Sequence, residues 1–177
     1  MKTTLSGSKT ATGGNSPVPI LVRRLTEADH AAWLSMRQAL WMGTDATTRA
    51  AEDMTLFAEP ERFGAIRYET LVAVVDGRCA GFVEVSLRDD VEGFPEQTVG
   101  YVEGIFVEMK FRRGGVGQTL LAAAEAWTRG SGATELVSEM LADNPSSIAF
   151  HRSSGFAEAS AQPEADKKRV ALVRRLA

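Results

Sequence analysis

A chain of 177 residues with 44% hydrophobic and 24% charged residues has the size and balance of one compact soluble domain. Its formal net charge of −3 and pI near 5.5 supply no global field toward nucleic acid or an anionic membrane, so neither is expected as a partner and charge arguments are local. The single cysteine, Cys79, excludes a disulfide framework and a cysteine-built zinc site, and it fits an inert thiol in a reducing cytoplasm.

Residues 1 to 19, MKTTLSGSKTATGGNSPVP, carry one early lysine with no apolar run behind it. They read as a disordered or cloning-derived leader, not a signal peptide. No later run approaches the roughly 20 apolar residues of a membrane span, and residues 20 to 177 are expected to form a single domain. ILVRRL predicts a first strand, after which Thr26 offers a helix N-cap with Asp29 in the first turn. Trp33, Met36, Leu40 and Trp41 recur at helical spacing until Gly43. DATTRAAEDMTLFAEP predicts a second helix ending at Pro60. The period then changes: YETLVAVVDGRCAGFVEVSLR reads as two strands around the tight-turn dipeptide Asp76-Gly77, and TVGYVEGIFVEM as a third. GVGQTLLAAAEAWTRG predicts a helix, ATELVSEM a strand, NPSSIAFHRSSGF a short helix stopped by Gly155, and KKRVALVRRL a closing strand. This order predicts an α+β (mixed α/β) fold around one central sheet.

The stretch GIFVEMKFRRGGVGQTLLAAAEAW joins a strand to a helix through a cationic loop nearly free of side chains. Successive free backbone N–H groups at the positive end of a helix dipole suit phosphate. Gly114, Gly115 and Gly117 allow close backbone approach, and Arg112 and Arg113 add donors for phosphate oxygens. A glycine-rich surface turn is the plainer alternative. A nucleotide P-loop would need Gly-Lys-Ser/Thr, which is missing, and the glycine spacing does not fit a dinucleotide fingerprint.

Arg112, Gly115 and Gly117 do fit the R-x-x-G-x-G pattern of the acetyl-coenzyme A loop of the GCN5-related N-acetyltransferase (GNAT) superfamily, which the element order also resembles. The resemblance implies a mostly antiparallel mixed sheet flanked by helices, with the coenzyme's pyrophosphate on residues 112 to 117, Val116 included, and its pantetheine arm along GIFV. DNPSSIAFHRSSGF is similar to the superfamily's later coenzyme-contacting segment, implying that Asn144 bonds the cofactor arm; the same residue reads equally as an N-cap. WLSMRQALW, AGFVEVSLRDDVEG and VGYVEGIFV resemble the aminoglycoside 6'-N-acetyltransferases within that superfamily. That likeness implies acetyl transfer from acetyl-CoA to a 6'-amino group by direct attack in a ternary complex, and a homodimer. Glu139 stands where that family commonly has aspartate, and the loop RDDVEG lacks a tyrosine often found there.

By strand alternation Glu103 shares one face with Tyr101, Ile105 and Val107 in a central strand. A carboxylate buried there needs a partner or a task, and the task expected is that of a base, direct or through water, for an ammonium group. Asp89, Asp90, Glu92, Glu96, Glu103 and Glu108 fall within 89 to 109 without a basic residue, which suits a polycationic acceptor. The resemblance also implies Trp41 against a sugar ring and Glu139 as an acceptor contact; by its helical spacing Trp41 fits the core equally, and Glu84, Asp89 and Asp90 are expected as further acceptor contacts. Backbone N–H groups near Phe106 and Val107 are expected to steady the charge that develops during transfer. His151 replaces the superfamily's frequent tyrosine and is the candidate proton donor to the leaving thiolate, with packing as its alternative. His30 and His151 are the only histidines, and no metal-ligand cluster is visible. Open alternatives are another amine acceptor (a polyamine, a small metabolite or a protein N-terminus) and a non-catalytic coenzyme A sensor.

Overall fold

The computed structural model describes residues 19–41, 65–159 and 168–176. The expected leader, except residue 19, and the expected helix at 45–60 lie outside the described residues.

Among the described residues, seven strands form one sheet in the order β1-β2-β3-β4-β5-β7-β6, antiparallel except for the β4–β5 pair. They are β1 (Leu21–Arg24), β2 (Arg67–Val75), β3 (Arg78–Arg88), β4 (Val99–Val107), β5 (Glu135–Leu141), β6 (Ala157–Glu158) and β7 (Arg169–Arg175). Three helices are described: α1 (His30–Leu40), α2 (Val116–Gly130) and α3 (Pro145–Ser153). Among the described residues the elements expected from the sequence are in place, and the two-residue β6, paired with β7, is an addition to them.

Local chemistry accounts for most boundaries. The capping box forms as expected, with Thr26 N–H and Oγ1 donating to Asp29 Oδ2 at 3.0 and 2.6 Å. Asp76 and Gly77, with φ of 49° and 73°, make the left-handed two-residue turn between β2 and β3. Asn144 caps α3 by accepting from Ser147 N–H at 3.1 Å, and Pro145 opens that helix.

Two layers cover the sheet. On one face Val116, Leu120, Leu121 and Ala124 of α2 bury against Leu71, Ala73, Val83, Val85 and Val102, with Ile148 and Phe150 of α3 beside them. On the other face Trp33 and Met36 of α1 pack on Val72 and Phe82, and the β3–β4 loop folds Val91 and Phe94 onto Val99, Val137 and Ala171. Among the described residues no helix is long and apolar enough to cross a membrane.

Candidate active site

The centre of the sheet is irregular where it matters. Glu84 pairs with Gly104 and Val85 with Val102, so Glu103 is the extra residue of a β-bulge in β4. The bulge corrects the expected alternation: Glu103 and Tyr101 stay on the α1 face, whereas Ile105 and Val107 pack into the α2 face.

A second irregularity accompanies the first. β4 and β5 are paired only from Gly100–Leu136 to Val102–Ser138, although β4 runs on to Val107 and β5 to Leu141. The two strands therefore part at the bulge. Glu108 N–H bonds back to Ala80 O across the β3 side. Antiparallel alternation then directs Phe106 N–H toward β3 and the N–H groups of Ile105 and Val107 toward the parted edge. This corrects the expectation for Phe106: its amide points toward β3 and not into the parted edge.

That edge borders a groove of about 680 Å³. Its middle is apolar, built from Leu40, Ile105, Phe106, Val107 and Phe150, and one end carries Arg112, Arg113, Gly115, Gly117 and Gln118, with Asn144 and Ser147 on the α3 wall. Gly115 is the N-cap of α2 with φ of 86° and no side-chain cap, and Arg113 also adopts a left-handed φ of 64°. Among the described residues the first amides of this 15-residue helix thus have no side-chain cap, and they stand beside two cations. Gly117 lines the groove and has a further reason besides the one expected: a Cβ there would lie 2.9 Å from Phe150 Cζ, so it also seats α3 against α2. The Val116 side chain is buried in the core, leaving only its backbone for a ligand. Arg112 Nε donates to Val107 O at 2.8 Å, tying the loop to the groove edge.

These residues fit coenzyme A. Its phosphates match the free helix amides and the arginines, and its uncharged arm matches the apolar middle and the unpaired amides of β4.

Beside the groove, on the α1 face, carboxylates gather. Glu103 Oε1 accepts from Ser86 Oγ at 2.5 Å and from Arg88 Nε and Nη2 at 2.7 Å each. Its Oε2 has no partner among the described residues. Glu139 projects from β5 and meets Arg169 Nε at 3.3 Å. Tyr101 lies under the Arg88 guanidinium at 5.1 Å, and burial, then Glu139 and Glu103, push its phenol well above the ordinary value. Trp41 closes α1 half-buried, with its ring edge on Gly104, where a Cβ would fall 2.8 Å from Cη2. Asp89 and Asp90 follow β3 as exposed residues at the start of the loop.

Two expected site residues stand elsewhere. His151 is 2% exposed and outside the groove lining; Nδ1–H donates to Ser147 O at 2.9 Å, and Nε2 accepts from Ser138 Oγ at 3.1 Å. Burial lowers its pKa, and with both nitrogens engaged it pins α3 to β5 and is not a proton donor to the groove. Glu84 is completely buried, with Oε1 accepting from Trp33 Nε1 at 2.9 Å and facing Arg37 Nε at 3.1 Å. It lies behind these side chains and does not offer itself to an acceptor. Conversely, Ser86 and Arg88 were not singled out by sequence reasoning; the cue available was their place on the same face of a strand adjoining Glu103.

The acetyltransferase (GNAT) family model matches residues 32–156. The aminoglycoside N(6')-acetyltransferase type 1 of Stenotrophomonas maltophilia is 38% identical over 138 residues, covering 77% of this chain and 86% of the relative. Its namesake from Klebsiella aerogenes is 39% identical over 140 residues, covering 78% and 90%. Among solved structures, the apo aminoglycoside antibiotic 6'-N-acetyltransferase AAC(6')-IG of Acinetobacter haemolyticus superposes with a TM-score of 0.71 at 32% identity, covering 84% of this chain and 98% of its own. AAC(6')-Iy, solved with the bisubstrate analog CoA-S-monomethyl-acetylneamine, gives a TM-score of 0.68 at 29% identity over 84% and 98%. With a strand-to-helix anion loop, a parted β4–β5 seam and these relatives, the chain belongs to the acetyltransferase (GNAT) family, in the group of the aminoglycoside N(6')-acetyltransferases.

Proposed function

We propose that this enzyme transfers the acetyl group of acetyl-CoA to the 6'-amine of an aminoglycoside. The observation that carries the reading is the seam that opens at the bulged Glu103 and borders a groove lined by the phosphate-type turn of Arg112, Arg113, Gly115 and Gly117.

Bound acetyl-CoA supplies an activated acyl group as a thioester. Residues 112 to 118 hold its phosphates on helix amides and guanidinium groups. The arm would run along Ile105, Phe106 and Val107, which line the groove together with Asn144 and Ser147. The outward amides of Ile105 and Val107 are hydrogen-bond donors fixed beforehand beside the carbonyl, where negative charge grows during transfer. Glu103 Oε2 and Glu139 receive the acceptor's ammonium groups, while Ser86 and Arg88 hold Glu103 Oε1. The amine must lose a proton before it attacks, and Glu103 accepts it directly or through one water; as the C–N bond forms the C–S bond breaks, and the leaving thiolate takes up, through solvent, the equivalent of the second proton that the nitrogen sheds. Trp41 presents its indole to a sugar ring, and Asp89 and Asp90 draw the polycation toward the cleft. Much of the rate comes from holding amine and acyl carbon together.

We further read the enzyme as a cytoplasmic homodimer. Lone, unpaired Cys79 suits a reducing compartment, and the family resemblance favours the dimer.

The test is incubation with acetyl-CoA and neamine, followed by mass spectrometry with fragmentation. A gain of one acetyl group on the 6' nitrogen is expected, and the 6'-hydroxy analogue should stay unmodified at that position. Acetylation elsewhere, or none, would remove the assignment.

A further inference from the structure

The α1 face holds a buried charged cluster that the transfer chemistry leaves unused. Glu84 and Arg37 form an ion pair at 3.1 Å, with Trp33 Nε1 donating to the same carboxylate oxygen at 2.9 Å. Desolvating two ions is costly, and apolar residues of similar volume often stabilise a fold as well. Stability is thus a weak reason for the pair, and its location offers another.

The Arg37 guanidinium lies 5.2 Å from the Trp33 ring centroid and 4.6 Å from that of Trp41. A cation over an indole face is attracted by the ring quadrupole, so it favours one placement of the ring. Trp41 is the last turn's C-cap and donates its backbone N–H to Arg37 O at 3.1 Å. The far edge of its ring rests on Gly104, where any Cβ would fall within 2.8 to 2.9 Å of Cη2 and Cζ2. Gly104 directly follows the bulged Glu103. A chain of contacts therefore runs from Glu84 through Arg37 and Trp41 to the backbone beside Glu103.

We propose that Arg37, anchored by Glu84, is a positioning residue that fixes the Trp41 indole on Gly104 and so sets the acceptor's sugar ring beside Glu103. The proposal rests on the reading of Trp41 as the acceptor's platform. Glu84 then acts through Arg37 and not on substrate. Lysine is a poor substitute, because an ammonium on a flexible stem lacks the planar group that stacks on indole.

Four variants test this, Arg37→Met, Arg37→Met with Glu84→Gln, Arg37→Lys and Trp41→Ala, with KM and kcat measured for neamine and Kd for acetyl-CoA by calorimetry. The double variant removes the buried charge together with its partner, so misfolding around an unpaired Glu84 does not decide the result. Both Arg37→Met forms should raise the neamine KM about tenfold with kcat changed less than about threefold and acetyl-CoA Kd within about twofold. Arg37→Lys should fall between them and the wild type. If Trp41→Ala raises the neamine KM and both Arg37→Met forms do not, the positioning role is refuted and the platform stands. If Trp41→Ala leaves that KM unchanged, platform and positioning fall together. Parallel losses in neamine KM and acetyl-CoA Kd for the double variant would reduce the cluster to general support of the fold and overturn the proposal.

Discussion

Among the described residues, Glu103 has partners on one oxygen and none on the other. Ser86 and Arg88 converge on Oε1, fixing the carboxylate's rotamer, and the Arg88 guanidinium is itself packed over Tyr101. An exposed carboxylate would spread over several rotamers, and each would bring an ammonium to a different place. Held this way, Glu103 presents Oε2 in one orientation, which is what a group that must meet an amine beside a thioester requires. Removing Arg88 should therefore impair transfer through Glu103 and not independently of it. Arg88→Met is expected to lower kcat/KM for an aminoglycoside about 10- to 100-fold, and Glu103→Gln at least as much. Residues acting as one unit give non-additive losses, with coupling of about 1–3 kcal/mol in a double-mutant cycle. Strict additivity of Arg88→Met and Glu103→Gln in kcat/KM would mean that the two act separately.

At the scale of elements, the groove is a product of strand divergence. The bulge at Glu103 increases the local twist of β4, β5 stays paired to β7 as far as Leu141, and the seam between β4 and β5 opens beyond Val102. Helix α3 closes one side only because Gly117 lets Phe150 settle against α2. Gly117→Ala should press on the Phe150 ring and push α3 outward. Its acetyl-CoA Kd should weaken about tenfold by calorimetry, with a smaller change in acceptor KM; equal Kd for variant and wild type would show that the ring yields without moving the wall. Features of this kind separate what sequence conveys from what it conceals. The Asp76-Gly77 turn, the Thr26–Asp29 capping box and the Arg-Arg-Gly-Gly loop were legible because each depends on neighbours a few residues away. The bulge was not, since it arises from pairing with a strand some 20 residues earlier, and strict alternation put Ile105 and Val107 on the wrong face. The same blindness applies to Glu84 and His151, whose burial is decided by α1 and β5 respectively, and to the packing role of Gly117.

For the whole molecule, several buried groups titrate differently in the fold and in the open chain, and together they bound a pH window. Burial lowers the His151 pKa below the 6.5 of an exposed imidazole. Between the two values the unfolded chain takes up the proton and the folded chain does not, so stability is lost as pH falls below about 6.5. The bond from Arg23 holds Asp29 well below the 3.8 of a free aspartate, and its contribution is present above that value and lost as pH falls further. On the alkaline side, burial and Asp29 push the Cys79 thiol up to about 11 from 9.0, so stability is complete below 9.0 and lost as pH rises through the folded value. Tyr68 and Tyr101, raised above 10.0 chiefly by burial, add to that loss. A melting temperature measured against pH should therefore show a plateau between about 6.5 and 9, a shallow acid shoulder and a steeper fall below about 4. The shoulder is assigned to His151, which gives the test its edge: His151→Gln keeps an acceptor for Ser138 and removes the titration. That variant should hold its plateau down to about pH 4, at a lower melting temperature than the wild type. An unchanged shoulder in His151→Gln would transfer the acid sensitivity to the carboxylates and leave His151 with packing alone.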